Sequence, residues 1–207
     1  MEANFIGGHP MTGSEKTGIL SATNTLLENA YYIITPTALT PREEISEFRD
    51  FVLSLGAIPL ILDYKIHDYS TAAISHLPHM IAYSLVNLIR QIDDDKETMK
   101  TIAAGGFKDI TRIASSSPVM WQNICASNRE PLLSLMDQYL ALLTKLRGYI
   151  DSSNEQALLS FFQQAKDYRD SITLPSVKSP TVYYECFVDL VDETGGIAAV
   201  AGLLAQY

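Results

Sequence analysis

Four short segments contain the residue types that could do chemistry. The first, residues 7–16 (GGHPMTGSEK), combines a histidine, hydroxyls and a carboxylate with several glycines. Open α/β sheets place their ligands at the ends of strands, so a glycine-rich loop of this kind after a strand is a candidate binding site. His9 is the candidate general base, because imidazole titrates near neutral pH. A tight surface turn that carries an exposed histidine is the alternative.

The second segment, residues 75–79 (SHLPH), places His76 and His79 three residues apart on one predicted helix face. That spacing is compatible with a metal site. No third and fourth ligand of matching pattern is evident, since His67 and Asp68 lie two turns earlier. We therefore expect no metal, with one histidine in the core and the other in a pocket.

The third segment, residues 105–114 (GGFKDITRIA), places Lys108 and Arg112 at i and i+4 just after a glycine pair. Like charges at this spacing repel each other, which favours a bound anion, and arginine binds carboxylates through two parallel hydrogen bonds. An ordinary solvated helix face is the alternative. Trp121, in the fourth segment (PVMW), is either a core residue or the wall of a pocket.

Composition excludes several classes of protein. Asp and Glu outnumber Lys and Arg by 24 to 15, which gives a net charge of -9. The sequence contains no run of Lys and Arg of the kind that indicates nucleic-acid binding. Cys125 and Cys186 show no CxxC pattern and predict neither a disulfide framework nor a zinc site. The first residues lack the basic and apolar regions of a signal peptide, so we expect none. Apolar stretches such as residues 80–92 are interrupted by polar residues, and we expect them to be too short to span a bilayer. We expect a soluble protein of the reducing cytoplasm.

The first sixty residues have the strand–helix–strand pattern of an α/β domain. Residues 5–8 predict the end of a strand, and residues 31–35 (YYIIT) and 57–62 predict two more. Between the last two, apolar residues at helical spacing predict a helix with Thr40 as N-cap and Pro41 as its first residue. Nothing upstream supplies neighbours for the first strand, so we expect the chain to begin inside a domain.

From Asp63 onward the apolar periodicity is helical for about a hundred residues. We expect a long helix kinked at Pro78 and another that begins at Ser117-Pro118. Residues 132–150 are apolar around much of the helix circumference, which is typical of a bundle centre or a subunit interface. A last helix is predicted over residues 154–172.

Taken in order, these segments resemble the prephenate dehydrogenase family over residues 5–170. The matching stretches are GGHPMTGSEKTG (7–18), ENAYYIITP (28–36), HD and SHLPH (67–68 and 75–79) and GGFKDITRIASSSPVMW (105–121). Residues 183–207, with DETGGIA at 192–198, are similar to the first strand and helix of an ACT domain, a small module that often binds an amino acid.

The resemblance implies a mainly α chain, with a helical dimerisation domain preceded by the closing strands of a truncated α/β nucleotide-binding domain. We expect residues 1–62 to be the C-terminal portion of a Rossmann-like nucleotide-binding domain. Residues 63–173 are then the helical substrate-binding and dimerisation domain, residues 174–181 a linker, and residues 182–207 the start of a truncated ACT-like regulatory domain.

The resemblance also implies an activity, the NAD-dependent oxidative decarboxylation of prephenate to 4-hydroxyphenylpyruvate in tyrosine biosynthesis. His9 would take the proton of the ring hydroxyl, and Arg112 would bind a carboxylate. The expected substrate-binding residues, some of them reaching in from the partner of a homodimer, are Ser14, Glu15, His79, Gly105, Lys108, Arg112 and Trp121. Tyrosine is the expected feedback inhibitor.

The sequence is compatible with either NAD or NADP as cofactor and with more than one substrate. The family's GxGxxG fingerprint lies upstream of its GGHP segment, and this sequence contains no such motif after a strand. We therefore expect NAD or NADP in the intact enzyme, no tight binding of either by this chain alone, and an inactive isolated chain. The alternatives are an arogenate dehydrogenase or a non-catalytic dimerisation and tyrosine-sensing module.

Overall fold

The computed structural model of the protein describes residues 5–13, 18–19, 22–23, 25–172 and 195–204. Within these residues a small sheet is followed by a long helical region, which confirms the predicted mainly α class. The chain divides into two compact units, Met1–Pro175 and Ser176–Tyr207.

A three-stranded sheet opens the first unit. Its strands, in spatial order, are β1 (Ile6–Pro10), β2 (Tyr31–Pro36) and β3 (Ile58–Ile61). Helix α1 (Arg42–Ser54) connects β2 to β3, which run parallel, whereas β1 runs antiparallel to β2. The crossover confirms the predicted strand–helix–strand unit. Its core is formed by the fully buried side chains of Ile34 and Val52 with Ala57.

Two local predictions in this region are wrong. The first strand does not end at Gly8 but continues through His9 to Pro10, so the histidine belongs to a strand and not to a loop. Thr40 does not cap α1, because its hydroxyl accepts from the backbone N–H of Thr37 and closes the preceding turn instead. Side-chain bonds within a turn compete with capping for the same hydroxyl.

Helices account for the rest of the first unit. They are α2 (Tyr64–Thr71), a π-helical segment (Ala72–His76), α3 (Leu77–Ile92), α4 (Thr98–Ile102), α5 (Gly105–Thr111), a 3-10 turn (Arg112–Ser115), α6 (Pro118–Ser127), α7 (Arg129–Asp151) and α8 (Glu155–Ser171). The Ser117 hydroxyl accepts from the backbone N–H of Met120, which confirms the predicted start of α6.

Helix α2, the π segment and α3 are continuous over Tyr64–Ile92. By length and composition alone, this helix is apolar and long enough to cross a membrane, a test that a core helix of a soluble protein also passes. The expectation that no stretch is long enough is therefore wrong. The reason is that residues 80–92 continue the helical turns that precede them.

An apolar groove runs between α3 and α7. It has a volume of about 270 Å³ and is lined by residues that include Leu77, Ile81, Leu85, Leu88, Met136 and Leu140. Leu88 and Leu140 keep 50% and 57% of their surface exposed. We call this surface the α3–α7 groove.

In the second unit, the structure describes helix α9 (Gly196–Leu204) and the residue before it. The predicted linker at 174–181 lies outside the described residues, as does most of the predicted ACT-like segment at 182–207. Both assignments stay predictions.

Candidate functional site

His9 is held at the sheet by close packing of two glycines that precede it. It pairs with Ile33 across the β1–β2 ladder. A Cβ atom on Gly7 would lie 2.3 Å from Oγ1 of Thr35, and one on Gly8 would lie 2.7 Å from the hydroxyl of Tyr32. Both distances are shorter than non-bonded contact allows, so glycine is required for β1 to approach the side chains of β2.

His9 makes a side-chain contact with the helix that follows β3. Its Nδ1 lies 2.8 Å from Nε2 of His67, and the two rings meet edge to face with centroids 5.1 Å apart. On its other side, Nδ1 of His67 lies 2.8 Å from Oδ1 of Asp68. The result is a hydrogen-bonded chain of three side chains that runs from β1 to α2.

The π segment between α2 and α3 orients two further histidines. A proline removes a backbone donor and its ring crowds the preceding turn, and a π-bulge is one way in which a helix accommodates such a break. Here the π segment ends at His76, two residues before Pro78. His79 donates from Nδ1 to the carbonyl of Ser75 at 2.8 Å, so its Nε2 is an acceptor when the ring is neutral.

Trp121 packs against both of these histidines. The His79 ring stacks on the indole with centroids 3.7 Å apart, and the His76 ring meets it edge to face at 5.9 Å. Trp121 is only 6% exposed, and its indole N–H has no hydrogen-bond partner among the described residues. A buried donor without a partner is costly, so this N–H is available to a ligand acceptor.

Asn128 connects the two pairs of histidines. It donates from Nδ2 to the backbone carbonyl of Asp68 at 2.8 Å, and the same nitrogen lies 3.3 Å from Nδ1 of His76. His9, His67, His76 and His79 are all four histidines of the sequence. We call them the four-histidine cluster.

Burial lowers the pKa of three members of this cluster below the ordinary value of 6.5. For His9 the second cause is the neighbouring His67. For His76, its histidine neighbours add to burial while Asp68 opposes them. For His79, burial outweighs the opposing hydrogen bond to the Ser75 carbonyl. These three rings are therefore neutral at neutral pH, the form in which imidazole can accept a proton.

The other predicted site residues lie elsewhere or outside the described residues. Gly105 begins α5, and Lys108 lines an open groove of about 930 Å³ beside α3 and α4 to which no member of the four-histidine cluster contributes. Helix α5 ends at Thr111, so Arg112 is the first residue of a 3-10 turn and does not continue the helix face of Lys108. Ser14 and Glu15 lie outside the described residues.

The residues present fit a proton acceptor better than a metal or a dinucleotide. No group of three metal-ligating side chains occurs within the described part of the chain. Dinucleotide phosphates bind at a helix N-terminus after a glycine-rich turn. At α2, which follows β3, the Asp63 carboxylate already caps the helix by accepting from the backbone N–H of Lys65. A second anion there would be repelled.

The sequence pattern does not indicate the contacts of His67, Asp68 and Asn128. It singles out the first two as possible metal ligands and as part of the family resemblance, with no contact to His9, and it gives no signal for Asn128. The available signal is the position of the histidine and aspartate in the short helix directly after a predicted strand. The contact of His67 with His9, 58 residues earlier, depends on the antiparallel pairing of β1, which the sequence pattern does not indicate.

Two family sequence models match the chain. They are described as prephenate dehydrogenase, nucleotide-binding domain, over residues 1–59, and prephenate dehydrogenase, dimerization domain, over residues 63–164. The prephenate dehydrogenase of Bacillus subtilis is 37% identical over 201 residues, which cover 97% of this chain and 54% of the relative. The chain thus spans about half the length of the curated relatives it matches.

Two solved structures are similar to the chain. Prephenate dehydrogenase from A. aeolicus in complex with hydroxyphenyl propionate and NAD+ superimposes with a TM-score of 0.78 at 31% identity, covering 82% of this chain and 59% of that one. Synechocystis arogenate dehydrogenase superimposes with a TM-score of 0.73 at 30% identity, covering 81% of this chain and 61% of that one.

Proposed function

Because this chain belongs to the prephenate dehydrogenase family, we propose that the enzyme containing it oxidatively decarboxylates prephenate to 4-hydroxyphenylpyruvate. The reaction uses NAD or NADP as the hydride acceptor and serves tyrosine biosynthesis in the cytoplasm. Residues 1–62 contribute to the nucleotide-binding domain, and residues 63–173 form the helical substrate-binding and dimerisation domain.

The observation that carries this proposal is the position and protonation state of His9. The ring is anchored through Nδ1 to His67, which leaves Nε2 for substrate, and its lowered pKa keeps it neutral at neutral pH. As hydride leaves the ring carbon that carries the hydroxyl group, Nε2 accepts the hydroxyl proton. The bond to the ring carboxylate then breaks, carbon dioxide leaves, and the ring becomes aromatic. A positioned base of this kind contributes about 100- to 10,000-fold in rate.

Prephenate carries two carboxylates, so the proposed site also needs donors and cations. We assign a carboxylate to Arg112, because guanidinium binds it in a two-point geometry. Trp121 contributes as a donor its indole N–H, which has no partner among the described residues. His79, which stacks on the indole, presents Nε2 as an acceptor. Gly105, Lys108, Ser14 and Glu15 complete the proposed contacts.

We also propose a homodimer in which some of these residues face the partner's substrate. No member of the four-histidine cluster lines the groove of Lys108 within the described residues, which supports a site to which both subunits contribute. The exposed leucines of the α3–α7 groove support an interface on the helical region. Feedback binding of tyrosine by residues 182–207 belongs to the same proposal.

NAD supplies the hydride-accepting chemistry when it is bound. The described residues do not offer a phosphate-binding turn of the kind that holds a dinucleotide. We expect the 207-residue chain alone to bind NAD with a dissociation constant weaker than about 1 mM, the range of weak association. Calorimetric titration that gives micromolar binding would contradict this expectation.

Arogenate is the second candidate substrate, favoured by the similarity to Synechocystis arogenate dehydrogenase. Arogenate has an amino group where prephenate has a keto group, and both present the same ring hydroxyl to His9. Comparison of kcat/KM for the two substrates at equal cofactor concentration distinguishes them. If the enzyme containing this chain turns over neither prephenate nor arogenate, that result would favour the non-catalytic dimerisation module.

A further inference from the structure

The hydrogen-bonded chain of His9, His67 and Asp68 favours one order of donors and acceptors. An ionised carboxylate only accepts hydrogen bonds, so Nδ1 of His67 donates to Asp68. With its proton on Nδ1, the His67 ring directs the lone pair of Nε2 at Nδ1 of His9, 2.8 Å away, which then donates to it. In this arrangement the unprotonated nitrogen of His9 is Nε2.

We propose that His67 and Asp68 are positioning residues that hold His9 in the tautomer with a proton on Nδ1 and a lone pair on Nε2. This inference rests on the proposed function, in which Nε2 of His9 accepts the substrate hydroxyl proton. With the opposite tautomer, Nε2 would already carry a proton and could not act as the base. Neither residue touches the reacting atoms, because both act through the Nδ1 side of His9.

The surrounding structure fixes this pair in place. The His67 side chain is 18% exposed, and its backbone N–H donates to the carbonyl of Asp63 in the first turn of α2. The backbone carbonyl of Asp68 accepts from Asn128 at the start of α7. The backbone of this pair is thus tied to α2 and to the start of α7, which fixes the positions from which the two side chains reach toward His9.

Opposing effects act on the charge that forms on His9. Burial and the neighbouring His67 ring disfavour the imidazolium, and both lower the pKa of His9. When Nε2 accepts a proton, the Nδ1–H bond to His67 becomes charge-assisted and stronger. The carboxylate of Asp68 lies one ring further and provides the opposite charge. Its side chain is 46% exposed, so water screens part of this effect.

The tautomer of His9 can be measured on the 207-residue chain itself. In histidine labelled with ¹⁵N, a protonated ring nitrogen and a bare one have well-separated chemical shifts, and variants of the four histidines assign the signals. We expect His9 to show a protonated Nδ1 and a bare Nε2 at neutral pH. In His67→Leu and Asp68→Asn, a substantial fraction should change to the opposite tautomer.

Asp63→Asn is the matched control for the loss of a carboxylate. Asp63 lies on the same helix, and asparagine is an equally good N-cap, so α2 should remain intact. The His9 signals should not change in this variant. Detection of a protonated Nε2 in the wild type, or an unchanged tautomer in both His67→Leu and Asp68→Asn, would overturn the inference. Should His67→Leu fail to fold, Asp68→Asn decides the question alone.

Kinetics of the enzyme containing this chain separate positioning from a purely structural role. Removal of the orienting carboxylate from a buried catalytic triad lowers kcat about 10,000-fold. Because Asp68 is half exposed, we expect a smaller loss of about 10- to 100-fold in His67→Leu and Asp68→Asn, with the Michaelis constant for prephenate changed less than about threefold. His67→Gln should recover much of the loss, since an amide oxygen can accept from Nδ1 of His9.

Equal losses in His67→Gln and His67→Leu would contradict positioning through a hydrogen bond. An enzyme that oxidises neither prephenate nor arogenate would refute the proposed function, while the tautomer measurement would still decide the role of His67 and Asp68.

Discussion

The α3–α7 groove provides a quantitative test of the proposed homodimer, through Leu140→Glu. Full burial of a leucine side chain stabilises by about 1.5–3 kcal/mol. Leu140 is 57% exposed, so covering it in a dimer is worth about 0.9–1.7 kcal/mol per copy. A two-fold axis counts the contact twice, which gives about 1.7–3.4 kcal/mol. At 1.4 kcal/mol per tenfold, the dissociation constant should rise by at least about 15- to 270-fold.

Sedimentation equilibrium over a range of protein concentrations measures this constant directly. The buried charge of the glutamate adds to the loss, so the calculated factor is a lower bound. Leu159→Glu is the matched control, because Leu159 lies on α8, is 62% exposed and does not line the groove. A wild-type chain that is monomeric at micromolar concentration would refute the dimer. Equal effects of the two substitutions would refute this groove as the interface.

Three further predictions concern the carboxylate site, the core and the buried histidines. Arg112→Ala should raise the Michaelis constant for prephenate by the equivalent of about 2–5 kcal/mol, and Arg112→Lys should recover only part of the lost affinity. Steady-state kinetics in which both variants stay within about 0.5 kcal/mol of wild type would exclude the carboxylate contact. Val52→Ala removes fully buried atoms beside Ile34 and should lower the free energy of unfolding by about 2–3 kcal/mol. Calorimetry should show this as a fall of roughly 4–12 °C in Tm. A loss of unfolding free energy below about 1 kcal/mol would show that this core is not well packed. The pKa of His76 and of His79 is lowered in the folded protein, so the unfolded chain binds more protons below about pH 6.5. The contribution of these two neutral rings to the free energy of unfolding is therefore fully present above that pH and is lost as the pH falls. The urea midpoint should therefore fall between about pH 7.5 and 5.5 more steeply in wild type than in the His76→Gln/His79→Gln variant, and equal slopes would contradict the assignment.

The sequence predicted those parts of the fold that depend on local pattern. The strand at residues 31–35, the helix face with Val52 and the start of α6 at Ser117-Pro118 follow from side-chain periodicity and capping chemistry, and the structure confirms them. Local pattern did not predict that β1 continues through His9, because two glycines in succession usually indicate a turn. Here they permit close contact with Tyr32 and Thr35 on the neighbouring strand.

The candidate site was only partly predictable for the same reason. His9 and His79 carry residue types that indicate chemistry by themselves. The partners His67 and Asp68 acquire their meaning only from a contact between distant parts of the chain. In the proposed homodimer, the environments of Arg112 and Lys108 depend on assembly as well as on folding, so no pattern within one chain indicates which side chains they meet.

Reduction of NAD in the presence of prephenate, by the enzyme containing this chain and by its His9→Asn variant, tests the central claim most directly. If Nε2 of His9 is the base, kcat should fall by about 100- to 10,000-fold while the Michaelis constant for prephenate changes much less. Asparagine can still form a hydrogen bond but cannot accept the proton at neutral pH. A His9→Asn enzyme that retains most of its turnover would show that another group takes the proton.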